Sequence, residues 1–218
     1  MCTPALPGAA QGPTDTSRSP YAHWRTLPVG SVVLTGGFCR TFPKAPSFRE
    51  GGTHGHQMLE QAGNFHDLRL AAGLAEGPYR GPLFMDSDLY KWLEALGWEL
   101  ANHPDDELRR IAAETIELIA AAQADDGYLD SYYQVAEPGQ RWKNLRDGHE
   151  LYCAGHLLQA AVAHRRATGD VNLLHVACRF ADHIYSVFGP GRRAGSPGTP
   201  KSRWRSWNCT ARPASRVT

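Results

Sequence analysis

The stretch that decides the fold is "DSDLYKWLEALGWELANHPDDELRRIAAETIELIAAAQADDG", residues Asp86–Gly127. Leu89, Trp92, Leu93, Leu96 and Leu100 recur at three- and four-residue steps, the stripe of an amphipathic helix. After His103-Pro104 the stripe resumes with Leu108, Ile111, Ala112, Thr115, Ile116 and Ile119. The pattern predicts two helices broken at Pro104. Asp86, Ser87 or Asp88 is expected to cap the first. Pro104 suits the first turn of the second, and Asp105, Asp106 and Glu107 suit the positive end of its dipole. Gly127 is expected to stop it.

The same logic extends downstream. A loop from Tyr128 to Gly148 carries Tyr128, Tyr132, Tyr133 and Trp142. Helices are predicted over about 149–167 and 170–187, joined by "RATGD", with Gly169 closing the first and Asp170 capping the second. Paired helices joined by alternating short and long connections predict an all-α fold, an α/α toroid or an α-solenoid. Upstream the signal weakens. Residues 1–30 are expected to be disordered, because 1–20 are rich in Pro, Gly, Ser and Thr. Ser31–Phe38, "SVVLTGGF", suits a short strand and turn. Residues 39–85 read as mixed, with a short helix over 65–70.

Composition narrows the function. The net charge of +1 hides an asymmetry: residues 189–218 hold seven Lys/Arg and no acid, whereas residues 1–188 hold sixteen Lys/Arg against twenty-two Asp/Glu. An acidic body argues against nucleic acid as the partner. Five cysteines without a CxxC pair are neither a disulfide framework nor a zinc knuckle. With no signal-like N-terminus and no membrane span, the expected location is the cytoplasm.

Histidine and cysteine gather in "NLRDGHELYCAGHLLQAAVAHRRATGD", residues 144–170. On a continuous helix His149, Cys153 and His156 would share one face. Two turns nonetheless part the two imidazoles by roughly 10 Å, too far for one ion. Cys153 and His156 therefore read as core residues, beside small Gly155, Ala160, Ala161 and Ala163 that allow close helix contact. His149 differs. It follows the aromatic, charged loop "RWKNLRDG" at a helix mouth, where an imidazole can donate to a sugar hydroxyl.

Four blocks carry a family resemblance: "FMDSDLYKWLEA" (84–95), "AAAQADDGYLDSYY" (120–133), "RWKNLRDGHELYCAGHLLQAAVAHRRATGD" (141–170) and "ADHIYSVFGPG" (181–191). In order and with few gaps, from about Leu34 to Gly198, they resemble glycoside hydrolase family 127, the β-L-arabinofuranosidases. The resemblance implies that residues 31–198 are the N-terminal part of an (α/α)6 catalytic barrel, a partial toroid here, of a retaining enzyme that releases terminal β-L-arabinofuranose from a glycan. It implies a zinc-bound cysteine thiolate as nucleophile and a glutamate as acid/base, departing from the usual pair of carboxylates. Those residues and the zinc ligands lie beyond the part that this chain covers, and neither Cys39, Cys153 nor Cys178 matches them. No catalytic or metal residue is therefore assigned here, and the chain alone is expected to be inactive. His149, in the family's His-Glu-Leu/Met-Tyr motif, carries over as a sugar contact. "GHQMLEQAG" (55–63) resembles the region that supplies a sugar-contacting glutamine, with Gln57 the match and Gln61 the alternative.

The tail departs from the family. "TPKSRWRSWNCTARPASRVT" (199–218) has no helical period and no acid. Back-translated with suitable synonymous codons and read one nucleotide earlier, it gives His-Pro-Glu-Ile-Glu-Met-Ala-Leu-Val-Glu-Leu-Tyr-Arg-Glu-Thr-Gly-Glu-Pro-Arg-Tyr. That is an amphipathic helix opening on the family's His-Pro-Glu. Residues 199–218 are thus expected to be a frameshifted, unstructured tail, with Thr199 where the family places a further histidine. Two other readings compete: a repeat-like α-helical binding module with a basic tail, and a small hydrolase with a local His/Cys site.

Overall fold

A computed structural model describes residues 16, 19–29, 31 and 48–193. The described residues form helices and turns with no strand. The elements are α1 (Phe48–Ala62), α2 (Asn64–Ala71), α3 (Met85–Asn102), α4 (Asp106–Ala122), the short α5 (Ser131–Val135), a 3-10 turn (Pro138–Gln140), α6 (Glu150–Thr168) and α7 (Asn172–Phe188). Beyond Ser31, the strand predicted over 31–38 lies outside the described residues, as do most of 1–30 and all of 199–218.

Two helix pairs make the body. α3 packs along α6, α4 packs on α7, and α1 and α2 both pack on α3 and on α4. The stripes explain the arrangement. All six stripe positions read on α4 are buried, as are Leu89, Leu93, Leu96 and Leu100 of α3. Each such leucine or isoleucine contributes about 1.5–3 kcal/mol by leaving water. α6 instead offers small residues: Ala154, Gly155, Ala160, Ala161 and Ala163 are buried. Gly97 of α3 completes the close approach, since a Cβ there would lie 3.3 Å from the His164 Cα.

Several boundaries differ from expectation. α1 is a full helix where the sequence reads as mixed, because its glycines serve packing rather than propensity. A Cβ on Gly55 would lie 2.7 Å from Trp92, and the Trp92 Nε1–H donates to the Gly52 carbonyl at 3.2 Å. Asp86, Ser87 and Asp88 lie inside α3, which starts at Met85 without a side-chain cap. Pro104 precedes α4, and Asp105 caps it by accepting from the Leu108 N–H at 2.9 Å. α4 ends at Ala122 rather than at Gly127. The 128–148 loop contains α5, capped by Asp130. Gly169 closes α6 with φ 82°, as predicted. Asp170 sits one residue too early to cap α7 and instead accepts from the Asn172 N–H at 2.7 Å.

Candidate functional site

His149 stands just outside α6, not within it, with a left-handed backbone (φ 59°). Its Nδ1 lies 2.6 Å from the Asp147 carbonyl oxygen. A carbonyl only accepts, so Nδ1 carries the proton. In the neutral ring Nε2 is then an acceptor. Of the two ring nitrogens, Nε2 is thus the one left to face a ligand, and in the neutral ring it accepts a hydrogen bond rather than donating one. Aromatic rings frame it, with Phe84 at 5.4 Å and Tyr152 at 5.6 Å between centroids. Tyr152 in turn packs on buried His156 at 4.6 Å and under the Lys91 ammonium at 5.3 Å. Lys91 pairs with Asp88 at 2.9 Å. The mouth of α6 thus sets aromatic ring faces beside charged groups.

The loop before His149 is tied down from below. Glu150, 2% exposed, accepts the Trp142 N–H on both carboxylate oxygens at 2.8 Å, and the Tyr128 hydroxyl at 2.5 Å. Burial pushes its pKa up, opposed by the Tyr128 and Trp142 donors and by Arg141. The Arg141 guanidinium covers the Tyr128 ring at 4.1 Å. Trp142 is also left-handed (φ 62°). Such backbone costs a non-glycine residue about 1–2 kcal/mol. Its indole N–H donates to the His183 Nε2 at 3.2 Å, and the His183 Nδ1–H donates to the Asp126 carbonyl at 3.0 Å. Phe180 and Phe188 of α7 close over the indole.

Beneath lies a buried acidic layer. Asp86 accepts from the Ser131 N–H at 2.8 Å and from its hydroxyl at 2.5 Å. Asp130 accepts from the Tyr133 N–H at 3.3 Å, while its other oxygen and the Tyr90 hydroxyl are buried without partners. Burial, then the Asp86 charge, raises the pKa of Asp130 well above the carboxylate range. Asp67 is raised to about 6 by burial, against the Arg80 N–H that it accepts. Sequence reasoning missed this layer. Asp86 read as a cap, and nothing in the pattern marked Glu150, although its place beside His149 was a usable signal.

The other predicted contact lies on α1. Gln57 and Gln61 lie one turn apart on the exposed side of α1, which packs on α2, α3 and α4. The rings around His149 are those of Phe84 and Tyr152.

Comparison with known proteins decides the family. The model of the β-L-arabinofuranosidase family, the GH127 catalytic domain, matches residues 47–202. The chain belongs to this family.

A curated relative, the non-reducing end β-L-arabinofuranosidase of Bifidobacterium longum subsp. longum, is 41% identical over 141 residues. The match covers 62% of this chain and 21% of that protein, so the chain spans about a fifth of the relative's length. Among solved structures, a GH127 β-L-arabinofuranosidase from Geobacillus stearothermophilus T6 superposes with a TM-score of 0.65 at 45% identity, covering 68% of this chain and 24% of that one. Another GH127 β-arabinofuranosidase gives 0.66 at 27% identity, covering 73% and 27%. The helix pairs of this GH127 chain are accordingly a partial (α/α)6 barrel.

A zinc-thiolate centre does not fit the residues described. Among them no three His, Cys, Asp or Glu side chains cluster as metal ligands. Cys153 is fully buried, and burial, then the Asp130 and Asp86 charges, pushes its thiol well above the usual range, the reverse of a thiolate site. No helix of the described residues is long and apolar enough to cross a membrane.

Proposed function

We propose that this chain supplies part of the sugar-binding wall of a retaining glycosidase that releases terminal β-L-arabinofuranose from a glycan. The observation that carries the reading is His149: a family-matched imidazole whose Nδ1 is occupied by its own loop, flanked by the exposed Phe84 ring and by Tyr152. In this reading His149 accepts a furanose hydroxyl through Nε2. Gln57, or Gln61 one turn on, contacts the sugar from α1. The nucleophile, the acid/base and the zinc that activates the thiolate come from sequence that this chain does not contain. The chain alone therefore binds the sugar weakly and does not cut it. The unpaired thiols of Cys153 and Cys178 support a reducing, cytoplasmic location. Residues 199–218 remain, on this proposal, a frameshifted tail.

The test is calorimetric titration of the purified chain with methyl β-L-arabinofuranoside, beside a hydrolysis assay on an aryl β-L-arabinofuranoside. Weak binding, with Kd on the order of 1 mM or above, lost in His149→Ala and reduced in either Gln57→Ala or Gln61→Ala, supports the reading. Turnover by the purified chain, or binding indifferent to His149, refutes it.

A further inference from the structure

Among the described residues, Trp142 and His149 are the two non-glycine residues with left-handed backbone, and they sit at the two ends of one loop. Such strain persists where the surroundings over-determine it, and it gathers at functional sites. The surroundings here converge on one side chain. Glu150 follows His149 directly, yet its carboxylate reaches back to hold the Trp142 N–H with both oxygens. Between these ends the chain is closed by a turn: the Gly148 N–H donates to the Asn144 carbonyl at 2.8 Å and the Asp147 N–H to the Asn144 side chain at 3.0 Å. That turn presents the Asp147 carbonyl to the His149 Nδ1.

We propose that Glu150 is a positioning residue for His149: its carboxylate clasps the 142–149 loop so that the imidazole is held as the Nδ1–H tautomer, with Nε2 free to accept. The linkage runs through backbone. Removing the carboxylate leaves the buried Trp142 N–H and Tyr128 hydroxyl without an acceptor, the loop opens, and Asp147 no longer fixes the ring. The tautomer claim stands on the loop alone. Its use toward a sugar hydroxyl rests on the proposed function.

The experiment is nitrogen-15 NMR of the histidine rings in the full chain at mildly alkaline pH, where neutral tautomers are distinguished by their nitrogen shifts. Wild type should show His149 as the Nδ1–H form. Glu150→Ala should shift it to the mixture of free histidine, dominated by Nε2–H. Glu150→Gln, which keeps one acceptor oxygen, should fall between. Leu93→Ala, a core change away from the loop, should leave the signature unmoved. An Nε2–H signature in wild type, or an unchanged one in Glu150→Ala, overturns the proposal. Should Glu150→Ala not fold, the glutamine variant decides: a mixture supports the clasp, a wild-type signature contradicts it. Added methyl β-L-arabinofuranoside should move the Nε2 shift. An intact Nδ1–H signature that ignores the sugar would sink the sugar reading and leave the clasp standing.

Discussion

α4 and the 128–150 segment pack against the same neighbours by opposite means. α4 contributes an apolar ladder, Leu108, Ile111, Ala112, Ile116 and Ile119, with one capping acid at its start. The 128–150 segment buries Asp130 and Glu150 among Tyr128, Tyr133 and Trp142, and holds two residues in left-handed backbone. The first region gains stability from burial that any well-shaped hydrocarbon could supply. The second spends stability on desolvated carboxylates and strain, and receives a defined shape at the α6 mouth in return. The difference separates scaffold from proposed site: the region that follows the local rules builds the barrel wall, and the region that breaks several of them carries the histidine.

Mutations can sharpen that contrast. The largest effect belongs to the scaffold. Leu93→Ala, at a fully buried position, should cost about 2–5 kcal/mol in urea unfolding. A loss under about 1 kcal/mol would mean that α3 is not packed as described.

The next effect belongs to the acid layer and depends on pH. The folded pKa of Asp67, raised to about 6, lies above its value in an unfolded chain. Its stabilising, protonated form is fully present below the unfolded pKa and is lost as pH rises through about 6. Lowering pH from about 7 to about 5 should therefore add about 1 kcal/mol, and Asp67→Asn should flatten that dependence. A pH profile unchanged in Asp67→Asn would place the burial penalty elsewhere.

Smaller still, Asp105→Ala should cost about 1 kcal/mol by freeing the Leu108 N–H that it caps, measured by thermal unfolding. At the bottom, Arg110→Ala breaks a pair with Glu114 in which both side chains are more than half exposed, and should shift stability by less than about 0.5 kcal/mol.

Legibility in the sequence followed the same divide. The stripes of α3 and α4 were readable because burial imposes a helical period on apolar residues, and those positions are buried except for half-buried Trp92. The Gly169 stop was readable because a left-handed position selects glycine. α1 was not, since Gly52 and Gly55 lower its propensity and the reason for them is Trp92 and Leu108, far away in sequence. His149 was singled out through its family motif, and its sugar contact stays a proposal. The state of its ring was not legible, because that depends on a carbonyl two residues back whose direction only the folded loop sets. Asp86 was misread as a cap because an acid at a helix start has the same sequence signature whether it faces the helix end or, as here, Ser131 on another element.

The most direct test of the account is a map of amide and side-chain shifts in the full chain as methyl β-L-arabinofuranoside is added. Perturbations should gather at Phe84, His149 and Tyr152 and at a glutamine side chain of α1. Perturbations confined to other surfaces, with the α6 mouth silent at saturating sugar, would contradict it.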